Sequence, residues 1–270
     1  MNRQHHNLLS DLRGGLVAAA VVLPQATAFG VTVFAPWTGA AAGALTGLIG
    51  AILLLLITGA IGGTVGLISG PTGPSMALLA GTGVVLAAAG VAPSAIAPAL
   101  FAVTVFAGLL QLLIALAGGG RLMKFVPYPV IAGLTTGTGL LLVKSQYKPL
   151  LGIGHGGSLA DWHWVPVAIA ACTFCVARFV PRLLPRLPGA IAGLIGGTAL
   201  FQIIVHANGP TVVPQHWVIG AVPALSEFRP AAGALGAWLA LPWPLILQAA
   251  FALAVLCSLN TLLTSVLADT

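Results

Sequence analysis

The residues with the most distinctive chemistry fall in one short stretch, Ile68-Ser69-Gly70-Pro71-Thr72-Gly73-Pro74-Ser75-Met76-Ala77. Three hydroxyl side chains alternate there with two glycines and two prolines. Pro71 and Pro74 have no amide to donate, and they push the residues before them into extended backbone. A helix therefore begins only at about Pro74, and it runs on through Leu86. Such a helix turns its unpaired amides and the positive end of its dipole back toward Gly70, Thr72 and Gly73, with the hydroxyls of Ser69, Thr72 and Ser75 beside them. Amides and hydroxyls in that arrangement suit an anion and need no formal positive charge. In a bilayer, broken backbone persists only where it is buried in protein or lines a watery cavity, so the break predicts a cavity.

Other polar side chains are few. Gln25 and Thr27 follow Pro24 in the middle of the first apolar run, and polar groups at mid-span usually face a bundle interior. Two readings of Gln25 are open: contact with a substrate, or a bond to a carbonyl freed by a proline kink. His5 and His6 are left unassigned. His155, His163 and His206 fall at the ends of apolar segments, where interfacial placement or loop hydrogen bonding accounts for them. An intramembrane hydrolase would need a base beside Ser69 or Ser75, and their own and adjoining apolar segments carry no His, Asp or Glu. The chain therefore reads as not an enzyme. Cys172 and Cys175 have C-x-x-C spacing without a second ligand pair. With Cys257 they read as packing residues, with no metal and no resident cofactor.

The elements that must position these groups are membrane helices. Of the 270 residues, 59% are hydrophobic and 5% charged, and a mean hydropathy of +1.08 requires lipid around most of the surface. The fold class is an all-α polytopic membrane protein. The net charge of +6 comes from bases dispersed in short gaps between apolar runs, not clustered with aromatics. That pattern marks topology and excludes nucleic acid as a partner.

Residues 1–13 read as a cytoplasmic segment, without a cleavable signal, and 14–270 as a transmembrane domain of about eight segments. These are 14–34, broken near Pro24; 39–61, with Gly39, Gly43, Gly47 and Gly50 as a close-packing stripe; the broken third; 95–117; 128–143; 164–180; 189–206; and 245–268. Residues 207–241 read as an exposed loop, with Trp217, Trp238 and Trp243 as interfacial anchors. A cytoplasmic amino terminus puts Arg3, Arg13, Arg121, Lys124, Arg178, Arg182 and Arg186 inside and leaves Lys144, Lys148 and Arg229 outside. That asymmetry supports the orientation in a cell inner (plasma) membrane.

The motifs resemble those of the sulfate permease (SulP) family of inorganic anion transporters, in particular its sodium-dependent bicarbonate transporters. The resemblance is carried by Asp11-Leu12-Arg13-Gly14-Gly15-Leu16, by Leu23-Pro24-Gln25-Ala26-Thr27-Ala28-Phe29-Gly30 and by Ile68 to Pro74. It continues through Val126-Pro127-Tyr128-Pro129-Val130-Ile131-Ala132-Gly133 and Ser258-Leu259-Asn260-Thr261-Leu262-Leu263-Thr264-Ser265.

The resemblance implies two inverted seven-segment repeats, a core domain moving against a gate domain, and substrate between the third and tenth segments. It implies Thr72 as a substrate-side residue and Gln25 as the glutamine of the first segment. In the sodium-coupled members, a carboxylate on the eighth segment and a threonine four residues later hold the cation; here these positions are Asn260 and Thr264. An amide offers a dipole where a carboxylate offers charge, so Asn260 weakens sodium or proton coupling. Three readings are open: weak ligation of sodium as coupling ion, sodium-independent exchange, or a structural amide between helices.

Eight segments amount to the first repeat plus the first segment of the second, with no tenth segment and no STAS domain. The chain is therefore expected to be a fragment or truncated product that is inactive alone. The expected function is secondary transport of sulfate or bicarbonate by an elevator-type movement, as symporter or exchanger. A nucleobase permease of the same architecture and a non-transporting scaffold are the alternatives. The expected partners are the anion, membrane lipid and a second copy in a homodimer.

Overall fold

The computed structural model describes residues 8–61, 68–119, 128–153, 158–184, 187–209, 214 and 241–268. Its helices are α1 Leu8–Thr38, α2 Ala40–Ile61, α3 Gly73–Ala88, α4 Pro93–Leu116, α5 Tyr128–Leu151, α6 Trp164–Leu183, α7 Gly189–Asn208 and α8 Trp243–Ala268, with a 3-10 turn at Leu159–Asp161 before α6. Six of these, α1 from Gly14, α2, α4, α6, α7 and α8 to Thr261, are long and apolar enough to cross a membrane. The chain is thus a multi-pass membrane protein.

Three elements differ from the sequence reading. α1 is continuous through Pro24 and begins already at Leu8. A proline removes one donor, but ending the helix in hydrocarbon would free several groups at once, so continuing costs less. α5 runs past Val143 through Lys144 and Lys148 to Leu151; a lysine can lay its stem along a helix and carry its ammonium to the interface, so it need not end a span. Trp243 is the first residue of α8 and packs edge-on to Phe106, with centroids 5.5 Å apart and planes at 85°. It therefore serves the core as well as marking a segment end. Trp217, Trp238 and almost all of the 207–241 stretch lie outside the described residues, as do the head residues Arg3, His5 and His6.

The chain divides into two compact units. One comprises residues 26–143 and 221–270. Its core is centred on α4, whose Ile96, Leu100 and Val103 are fully enclosed together with Leu86 of α3 and Ile246 of α8. Lipid is as apolar as leucine, so such contacts stabilise by close packing and not by removal from water. In the same unit α1 and α2 touch backbone to backbone. A Cβ on Gly47 would lie 2.2 Å from the Ala26 carbonyl oxygen, and one on Gly30 would lie 2.3 Å from that of Gly43. The expected glycine stripe on α2 is thus a contact at Gly43 and Gly47, while a Cβ at Gly39 or Gly50 would meet nothing.

The other unit comprises residues 1–25 and 144–220. α6 and α7 pair there, with Thr173 and Ala177 of α6 set against Gly193 of α7. Before α6, Ser158 and Asp161 cap the 3-10 turn reciprocally, and the His163 amide donates to the Leu151 carbonyl at 2.9 Å.

Candidate functional site

α3 has 16 residues. At about 1.5 Å per residue it reaches about 24 Å, short of the roughly 30 Å hydrocarbon core. Its far end is a closed turn: Gly90, at φ +84, lets Val91 donate to the Leu86 carbonyl and Gly90 to that of Ala87, which satisfies the last carbonyls. Its near end is open. Residues 68–72 are non-helical, and Thr72 stands at the N-cap with φ −112 and ψ 147.

Pro74 determines what happens at that end. A capping threonine ordinarily offers its side-chain oxygen to the second or third amide of the helix. Here the second helical residue is Pro74, which has none, and the Thr72 side chain makes no cap bond. The Thr72 and Ser75 hydroxyls pair with each other instead, at 2.8 Å. The Thr72 carbonyl accepts from Met76 at 3.0 Å. Among the described residues, no partner takes the amides of Gly73 and Ser75. Thr72 and Ser75 are half-buried and Gly73 is buried, so two amide donors and two hydroxyls lie close in sequence at a partly buried helix start.

A third group joins them. The Ser75 hydroxyl lies 3.1 Å from the Cys257 thiol of α8, making a chain of Thr72, Ser75 and Cys257. Three hydrogens serve two bonds, so one hydrogen is left over. When the thiol donates to Ser75 and Ser75 to Thr72, the spare hydrogen is on Thr72. Sequence reasoning placed Cys257 among the packing residues; the available signal was its position three residues before Asn260, on the same helical face.

The remaining expected site residues are distributed differently. Ser69 is exposed and Gly70 half-buried, both in the non-helical run. Asn260 is half-buried on α8 and Thr264 exposed, and the Thr264 hydroxyl donates to the Asn260 carbonyl. This back-bond fixes the threonine rotamer but leaves its oxygen able to accept. Gln25 is exposed on α1 and belongs to the unit of residues 1–25 and 144–220, whereas Thr72, Ser75, Cys257 and Asn260 all belong to the unit of residues 26–143 and 221–270. Thr27 keeps a hydrogen bond or other contact of its own. Among the described residues no group of three His, Cys, Asp or Glu could hold a metal ion.

The sequence profile of the sulfate permease family matches residues 8–270. The bicarbonate transporter BicA of Picosynechococcus is 32% identical over 213 residues, covering 74% of this chain and 36% of that protein. The putative sulfate transporter YbaR of Bacillus subtilis is 24% identical over 217 residues, covering 80% of this chain and 40% of that protein. Among solved structures, the transmembrane domain of a cyanobacterium bicarbonate transporter BicA superposes with a TM-score of 0.74 at 30% identity, over 98% of this chain and 66% of that one. The chain thus spans between 36% and 40% of these two curated relatives.

Proposed function

The chain belongs to the sulfate permease family, and from that premise we propose that it carries the anion-holding part of a secondary transporter of small inorganic anions, with bicarbonate and sulfate as the leading substrates. One observation carries the reading: the free amides of Gly73 and Ser75 and the hydroxyls of Thr72 and Ser75 meet at the open start of a helix too short to span. The anion takes the two amides and the spare hydrogen of Thr72, with the helix dipole behind them. Gly70 lets the backbone approach and Ser69 adds a hydroxyl beside it, while Gln25 is kept as a substrate-side residue on the family resemblance alone. Movement of the anion-holding helices against a gate domain, in the elevator manner, delivers it across the membrane. The protein lies in the plasma membrane with its amino terminus in the cytoplasm. It is a transporter and not an enzyme.

Asn260 and Thr264 form the cation-facing element. An amide and a hydroxyl supply oxygens without charge, so sodium is held weakly or not used. The substrates that give the relatives their names, bicarbonate for BicA and sulfate for YbaR, support the choice of anion.

The test has two stages with this chain, purified and shown to be folded: equilibrium binding of labelled sulfate and bicarbonate, then uptake into proteoliposomes with and without an inward sodium gradient. Saturable binding that falls about tenfold or more in Thr72→Val is expected, from loss of a hydrogen bond to a charged group. Uptake driven by the sodium gradient would overturn the reading of Asn260. Folded protein that binds neither anion would overturn the assignment and favour a membrane scaffold.

A further inference from the structure

α6 carries a second feature that anion transport does not use. The face of α6 turned toward α7 is marked by Thr173, Val176 and Ala177, which pack on the α7 glycines. The opposite face is uncovered: Phe174 is 70% exposed, Phe179 53%, and Arg178 and Arg182 are exposed as well. The two arginines are one turn apart on that face. Among the described residues neither has an ion pair or a hydrogen bond. The Arg182 guanidinium sits over the Phe179 ring, 5.5 Å from its centroid, which steadies it while leaving its donors unused.

Their depth makes this a demand for a ligand. Trp162 and Trp164 are 56% and 64% exposed at the start of α6, the usual place of an interfacial belt. From Trp164, Arg178 is about 21 Å and Arg182 about 27 Å along the helix, both inside a hydrocarbon core of roughly 30 Å. Guanidinium groups rooted there turn outward to the headgroup level, where lipid oxygen anions are within their reach. A phosphate is the anion present at that level, and it matches the guanidinium fork.

The geometry points to a binding site for one anionic phospholipid on the outer face of α6, its phosphate held between Arg178 and Arg182 and its acyl chains along Phe174 and Phe179. The full chain is purified and reconstituted in nanodiscs of phosphatidylcholine alone or with phosphatidylglycerol, and retained lipid is counted by native mass spectrometry. The expected result is selective retention of one phosphatidylglycerol by the unaltered chain, with a rise in melting temperature that grows with its fraction. Arg178→Gln with Arg182→Gln is expected to lower retention on the order of tenfold or more, while the double lysine variant keeps most of it through charge alone. The site is overturned by equal retention in the unaltered chain and the glutamine variant, by equal retention of the two lipids, or by inorganic phosphate in detergent reproducing the whole thermal shift. Comparing the two lipids on the unaltered chain decides the question even when the glutamine variant does not fold.

Discussion

Thr72 uses its atoms separately: its carbonyl starts α3 and its hydroxyl pairs with that of Ser75, Pro74 supplying no amide at the second helical position and the Ser75 amide not being capped. Pro74→Ala would return an amide to the second helical position, and the Thr72 oxygen is expected to turn and cap it. The chain would gain about 1 kcal/mol of helix stability and lose anion affinity, read as opposite changes in melting temperature and binding. Cys257 is separable by substitution. Cys257→Ser keeps a donor to Ser75 and is expected to bind anion nearly as well. Cys257→Ala lets the Thr72–Ser75 pair reverse, which costs a few-fold in equilibrium binding. Equal binding by the two variants would remove the thiol from the site. Asn260→Asp, which adds the missing charge, is expected to make anion binding depend on sodium; an unchanged response to sodium would leave Asn260 a structural amide.

At the scale of elements, the α1–α2 contact is the tightest test of packing. A Cβ at Gly47 would fall 2.2 Å from a carbonyl oxygen that belongs to backbone and cannot rotate away. Gly47→Val is therefore expected to destabilise by about 3 kcal/mol or more, seen as early thermal aggregation in detergent. Gly50→Val, on the same helix with nothing near its Cβ, is expected to be neutral. The two share a residue type and a helix, so the contrast reports close approach and not helix propensity. α3 differs: at 16 residues it is shorter than the spanning helices, with a closed far turn and a non-helical run before its start.

For the whole molecule, the proposed cytoplasmic amino terminus together with eight membrane segments would return the chain's end, Thr270, to the cytoplasmic face. A fluorescent protein fused after Thr270 is expected to glow, and alkaline phosphatase at the same place to be inactive; the reverse pattern would invert the topology. The match to the solved BicA domain runs over 98% of this chain and 66% of that one.

Much of this was legible in the sequence because a bilayer leaves few choices. A backbone in hydrocarbon must be helical or part of a closed barrel, and apolar runs of about twenty residues suit only the helix, so the sequence determined the all-helical class, and the proline and glycine run at 70–74 determined where α3 starts, to within a residue. Prolines alone did not announce breaks: Pro24 and Pro98 lie inside helices, whereas Pro71 and Pro74 act with glycines beside them. Only the tertiary structure decided which glycines of α2 touch α1, that Trp243 packs on Phe106, and that Cys257 reaches Ser75 across 182 positions of chain. These depend on which face each helix turns to its neighbour, and the apolar residues of α2, α3 and α8 are spread around each helix, so their periodicity does not single out that face.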